Sequence, residues 1–208
     1  MSLVELHPEL VSEPPPDPIL RLLQDAETQI DGFVEGRLDN PIPGFVPSDF
    51  VRVWCGLRTI QARGLISGRS FCEWGSGFGV VACMAAYLDF DASGIEIHGS
   101  LVEAAGALAQ AHGLPVEFVC GSYMPAGTEA LADASASEFA WIETDGPSGY
   151  EELGLDIDDF DLIYAFPWPG EEELVHVLFD RYAATGALLL TFNGVEDLRF
   201  QRKVGRRH

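Results

Sequence analysis

From Ser70 onward, short apolar runs alternate with longer amphipathic ones. The short runs predict strands at Ser70–Trp74, Ala92–Ile97, Val116–Cys120, Phe160–Ala165 and Ala187–Phe192. The runs between them predict helices at Val80–Leu88, Leu101–Ala111 and Glu171–Tyr182, the second stopped by Gly113-Leu114-Pro115. Regular alternation of this kind predicts an α/β fold, a doubly wound and mostly parallel sheet covered on both faces. Leu198, Phe200, Arg202 and Val204 share one side of an alternating run, which predicts a short edge strand after the last parallel one. The stretch Gly121–Asp159 breaks the rhythm with a possible helix at Thr128–Phe139 and then an acidic loop. Loops of that length in a compact domain are usually functional or mobile.

The N-terminal part reads differently. Its first sixteen residues end in Glu13-Pro14-Pro15-Pro16, a stiff, extended stretch expected to be an arm or linker. Asp17-Pro18 has the chemistry of a helix start, with Asp as the cap, and Leu20, Leu23, Ile30 and Phe33 give an amphipathic pattern to about Gly36. Asn40 to Pro47 carries too many prolines for regular structure. Ser48 is then the expected cap of a helix with Phe50, Val53, Trp54 and Leu57 on one face. The implied division is an arm and helix over 1–47 and a nucleotide-binding domain over 48–208.

Charge narrows the partners. The formal net charge is −21, from 33 acids against 12 bases, and five of those bases lie at Arg199 or later. Nucleic acid is not expected as a partner, because binding it requires a basic stripe that displaces counterions. The basic tail (Arg199, Arg202, Lys203, Arg206, Arg207) is expected to be a solvated, frayed terminus. Cys55, Cys72, Cys83 and Cys120 lack CxxC spacing and read as buried free thiols of a reducing, cytoplasmic compartment. No two histidines or cysteines have metal-ligand spacing, so no metal site is expected. The chain lacks a charged-then-apolar leader and any run of 18 apolar residues, so a soluble protein without a membrane partner is expected. Oligomeric state is left open.

One segment carries chemistry: Phe71-Cys72-Glu73-Trp74-Gly75-Ser76-Gly77-Phe78-Gly79, where a strand turns into a helix. Glycines at 75, 77 and 79 let a ligand approach the main chain, and the following helix aims its first N–H groups outward. Position 80 is Val, so the G-x-G-x-x-G of a dinucleotide fold is absent, and no lysine is near enough for a P-loop. Glu73 suits a ligand that carries a donor or positive charge better than a pyrophosphate. Glu96 closes the next strand 21 residues after Gly75, close to the ~20 expected of a ribose-binding acid.

Glu73 to Gly79 resembles the first motif of the class I S-adenosylmethionine-dependent methyltransferases, and Gly94-Ile95-Glu96-Ile97 resembles their second. The resemblance covers roughly Ser70 to Phe192. It implies a Rossmann-like methyltransferase fold, S-adenosylmethionine as cofactor and methyl transfer as activity. It further implies that Gly75, Ser76, Gly77 and Gly79 border the methionine and ribose, that Glu73 orients the amino group, that Glu96 holds both ribose hydroxyls, and that Ile97 packs on the adenine. Ser122 stands where many members carry an acid that meets the adenine amine, with Tyr123 beside it. Phe166 and Trp168, after the fourth strand, fall where the family lines the methyl-transfer site. The segment Phe166-Pro167-Trp168-Pro169 is loosely similar to the Asn-Pro-Pro-Tyr motif of amine methyltransferases, but it lacks the Asn or Asp that holds an amino group, so no acceptor follows from it. The acceptor is left as a small molecule or a protein segment, and no catalytic residue is assigned. A cofactor-binding sensor or partner subunit without catalysis is the alternative. Glu171-Glu172-Glu173 reads as acids at the positive end of a helix, and His98 and His176 as ordinary residues.

Overall fold

In the computed structural model the described residues are 2–37, 46, 48–125, 127–128, 146–193 and 198–205. One seven-stranded sheet runs through the molecule in the order β1-β7-β6-β5-β2-β3-β4. The strands are β1 (Ser2–Leu6), β2 (Ser70–Trp74), β3 (Asp91–Glu96), β4 (Val116–Cys120), β5 (Leu162–Ala165), β6 (Leu188–Phe192) and β7 (Leu198–Val204). The helices are α1 (Asp17–Glu35), α2 (Phe50–Arg63), α3 (Val80–Tyr87), α4 (Gly99–Ala111), α5 (Gly149–Leu153) and α6 (Glu172–Tyr182). Strands β2 to β6 pair in parallel, and β7 pairs antiparallel with both β6 and β1. The expected doubly wound, mostly parallel sheet is present, and the five parallel strands lie within two residues of their expected limits.

Side chains alternate between two cores, as the period of a strand requires. Phe71, Leu162, Tyr164, Leu188 and Leu190 face one way and pack with α1, α2, α3 and α4. Cys72, Trp74, Ile95, Ile163 and Leu189 face the other and pack with α5 and α6. Helix α3 is apolar all round, with Val80 to Ala86 buried, because it lies between the sheet and α1 and α2.

Several expectations are corrected. Part of the N-terminal arm is a strand: Ser2–Leu6 pairs with β7 from Ser2↔Val204 to Leu6↔Phe200. Leu3 then packs against one core and Leu6 against the other. The strand after the last parallel one is consequently not an edge, since β1 covers it. The basic tail is partly interior. Lys203 is buried and donates its Nζ to the Ala183 carbonyl, and Arg202 donates to the Leu65 carbonyl. Cys120 is exposed, in contrast to buried Cys72 and Cys83, because β4 is the sheet's other edge. The α1 cap is Pro16, with Asp17 in the first turn. The α2 cap is Asp49, whose Oδ1 accepts from the Arg52 N–H at 3.0 Å, rather than Ser48. The possible helix at Thr128–Phe139 and the tail residues Arg206 and Arg207 lie outside the described residues, apart from Thr128 itself.

Candidate functional site

The chain leaves β2 toward β3 and β4 on one side and returns to β5 and β6 on the other. A crevice opens where neighbouring strands diverge in this way, beyond their carboxyl ends. A cavity of about 330 Å³ lies there, lined by the ends of β2 to β6, the start of α6 and the segment before α2. That volume is in the range of small-molecule sites.

The glycine turn forms one wall. Gly75, Gly77 and Gly79 all have positive φ, at 65°, 53° and 65°. The N–H groups of Gly75 and Ser76 both donate to the Ile95 carbonyl, at 2.9 and 3.0 Å, which pins the turn to β3. A Cβ on Gly75 would meet nothing within 4 Å, so the main chain is bare on its cavity side. Gly79 differs. It does not line the cavity, and a Cβ there would fall 2.2 Å from the Phe118 ring. Its glycine is a packing requirement between the turn and β4, not one imposed by a ligand.

Two buried carboxylates flank the turn. Glu73 accepts from the Ala82 N–H at 2.8 Å, so it satisfies a donor in the first turn of α3. Burial drives the Glu73 carboxyl well above its ordinary range, the Ala82 bond opposes this, and Glu96 adds to it. Glu96 accepts from the Gly77 N–H through Oε2 and from the His98 N–H through Oε1, both at 2.9 Å. Its two oxygens are thus held face-on beside the turn, each retaining acceptor capacity. Ser76, also on this wall, is buried, and its Oγ has no partner among the described residues.

Ile97, Ser122 and Tyr123 extend the wall past β3 and β4. Ser122 is mainly a tie to the segment before α5. Its N–H donates to the Pro147 carbonyl at 2.8 Å, its carbonyl accepts from the Gly149 N–H at 3.0 Å, and its Oγ accepts from the Met124 N–H at 3.1 Å. Tyr123 stacks on Trp74, centroids 5.3 Å apart and planes 6° apart. Burial raises the Tyr123 phenol pKa, and the charges of Glu171 and Glu96 raise it further. Phe166 and Trp168 line the opposite side, Phe166 against Phe192 at 5.4 Å. The structure therefore brings every sequence-singled site residue to one cavity except Gly79.

Four contributors were missed. Glu171, read as a helix-end acid, is buried on the cavity wall and accepts from the Trp168 N–H at 3.2 Å. Glu172 also lines the cavity and accepts from the Gly170 N–H at 2.7 Å. Asn193, just past β6, brings in an amide whose Oδ1 is buried without a partner among the described residues. Ser48 bonds to the Tyr164 hydroxyl at 2.7 Å, and both line the cavity. The acid run and Ser48 gave sequence signals, and both pointed to a helix start. Outside the cavity, Asp156, Asp158 and Asp159 form an exposed acidic group close enough to share a cation, and Asp156 and Asp159 cap the short turn before β5.

No protein-family model matches the chain, and no curated protein matches it in sequence. Solved structures do resemble it. An RNA methyltransferase from Salinibacter ruber, solved with S-adenosyl-L-homocysteine, superposes with a TM-score of 0.51 at 16% identity, over 76% of this chain and 92% of that one. A methyltransferase from Geobacter sulfurreducens superposes with a TM-score of 0.51 at 14% identity, over 92% of this chain and 93% of that one. At these identities the likeness establishes the fold. It is the Rossmann-like α/β fold of the S-adenosylmethionine-dependent methyltransferases.

Proposed function

We propose that the chain belongs to the class I methyltransferases, binds S-adenosylmethionine in this cavity and transfers its methyl group to a small-molecule or protein acceptor. One observation carries the reading: two buried carboxylates, Glu73 and Glu96, flank a bare glycine turn at the point where the sheet's winding reverses. Such a wall repels phosphate. It suits a nucleoside that offers vicinal hydroxyls and a positive charge. The residues fit that group on three counts: open main chain at Gly75, an unpartnered Ser76 hydroxyl, and acceptors at Glu73 and Glu96. Glu96 would hold the ribose, Glu73 the amino group, and Ile97, Ser122 and Tyr123 the adenine side. The bound cofactor supplies an electrophilic methyl carbon on a sulfonium, and catalysis with it rests largely on proximity and orientation. Phe166, Trp168, Ser48 and Tyr164 would line the acceptor side.

Nucleic acid is disfavoured as acceptor by the net charge of −21, although the Salinibacter protein is an RNA methyltransferase. A cytoplasmic location fits the free cysteines. The test is calorimetry with S-adenosylmethionine and S-adenosylhomocysteine on the wild type and Glu96→Gln. Both ligands should bind the wild type, and the variant should bind at least tenfold more weakly. No binding to the wild type would sink the proposal. Binding without any methylated product in cell extract would favour the non-catalytic sensor or partner subunit.

A further inference from the structure

The cavity has two halves that the topology keeps apart. Glycine turn, Glu73 and Glu96 belong to the ends of β2 and β3. The other half is built by the ends of β5 and β6 and the start of α6, which contribute Phe166, Trp168, Glu171, Glu172 and Asn193. That second half has a chemistry of its own. Glu171 is only 6% exposed, yet it lines the cavity, and its backbone partner Trp168 keeps the carboxylate fixed there. Asn193 adds a buried acceptor oxygen with no partner among the described residues. Among the described residues neither lysine nor arginine lines the cavity, and His98 stands on the other half. The Asn193 oxygen lacks a donor and the Glu171 carboxylate adds negative charge, and among small ligand groups a protonated amine offers donors and the opposite charge together. Trp168 lines this half, and aromatic ring faces attract cations. A carboxylate or phosphate ligand would meet like charge here, and a neutral alcohol would bring no opposite charge to the acids.

We propose that the β5–β6 half of the cavity is an amine-recognition site, in which Glu171 and Asn193 receive the N–H donors of an acceptor's protonated amino group beside the Trp168 ring. The inference rests on the methyl-transfer reading for its biological purpose, since it names the acceptor class of that same cavity. Recognition itself is independent of the cofactor. Glu171 has a second task if the amine is to act as a nucleophile: its carboxylate takes the ammonium proton and releases it to water, which frees the nitrogen lone pair. A free amine and the side chain of a protein lysine share this chemistry.

The experiment uses the full chain with phenethylamine, 2-phenylethanol and phenylacetate as probes of equal shape and different charge. Nα-acetyl-lysine amide is the fourth probe and distinguishes the lysine source. Binding is read by calorimetry and by tryptophan fluorescence, with and without saturating S-adenosylhomocysteine. One of the two amines should bind at least tenfold more tightly than the alcohol, and phenylacetate more weakly than either. Glu171→Gln keeps an oxygen for the Trp168 N–H, so it should fold, and it should reduce the amine preference at least tenfold. Asn193→Leu should weaken amine binding several-fold without touching the turn. Equal binding of amine and alcohol, or an amine preference untouched in Glu171→Gln, would overturn the inference. Cofactor affinity separates the two readings: an intact S-adenosylhomocysteine isotherm with no amine preference removes only this one, and amine preference without cofactor binding removes only the other.

Discussion

Glu73 and Glu96 each do two things. Both hold backbone donors, and both face the cavity. Removing Glu96 altogether would strand the Gly77 and His98 N–H groups as well as a ligand contact, so Glu96→Ala is expected to lower stability by about 1–3 kcal/mol besides weakening binding. The sequence pointed only to a ribose-holding role for Glu96, and its bonds to the Gly77 and His98 N–H groups add a structural one. Glu73 makes a pH prediction. Its carboxyl pKa is raised in the folded chain, so above the unfolded value of about 4.3 the folded state retains a proton that the unfolded state has lost. Stability contributed by this group therefore falls as pH rises through that window. Glu73→Gln cannot ionise and still offers an oxygen to Ala82. By differential scanning calorimetry it should melt above the wild type near neutral pH, with the gap closing toward pH ~4, even as cofactor affinity is lost. A gap that stays constant across that range would mean Glu73 titrates as an ordinary surface acid.

The glycine turn shows that one motif can contain different physical requirements. Gly75 and Gly79 both have φ near +65°, which costs a non-glycine residue about 1–2 kcal/mol. Only Gly79 adds a steric conflict, with Phe118 on β4. Gly79→Ala should therefore lose clearly more than ~2 kcal/mol in urea unfolding. Gly75→Ala should lose only the backbone cost while cutting cofactor affinity, because Gly75 lines the cavity. Equal destabilisation in the two variants would contradict this division. Such a difference is invisible in the motif, where both positions carry the same letter. What separates them is a ring from a strand some forty residues downstream.

At the scale of the whole molecule, the charge imbalance sets the expected response to salt. With a net charge of −21, self-repulsion opposes the compact state and screening relieves it. Melting temperature should rise by a few degrees between low salt and about 150 mM salt. The same field opposes a polyanion, so filter binding with transfer RNA should detect no complex even at low ionic strength. A salt-sensitive complex would show that a local basic face overrides the average charge. The basic tail, the natural source of such a face, is partly spent inside the fold, since Lys203 and Arg202 donate to main-chain carbonyls.

The sequence by itself determined the parallel sheet, the glycine turn and the spacing of Glu73 and Glu96. Each of these depends on interactions between residues close in the chain, through strand and helix periodicity and the geometry of one βαβ unit. Only the tertiary structure decided the rest. Ser2–Leu6 became a strand because its partner lies some two hundred residues away at β7, and a five-residue strand has too few alternations to announce itself. Ser48 met Tyr164 instead of capping α2, Phe118 rather than a ligand imposed Gly79, and Glu171 and Asn193 were drawn from separate elements to one wall. Their roles arise from where the winding of the sheet reverses, a property of strand order that no local stretch of sequence contains.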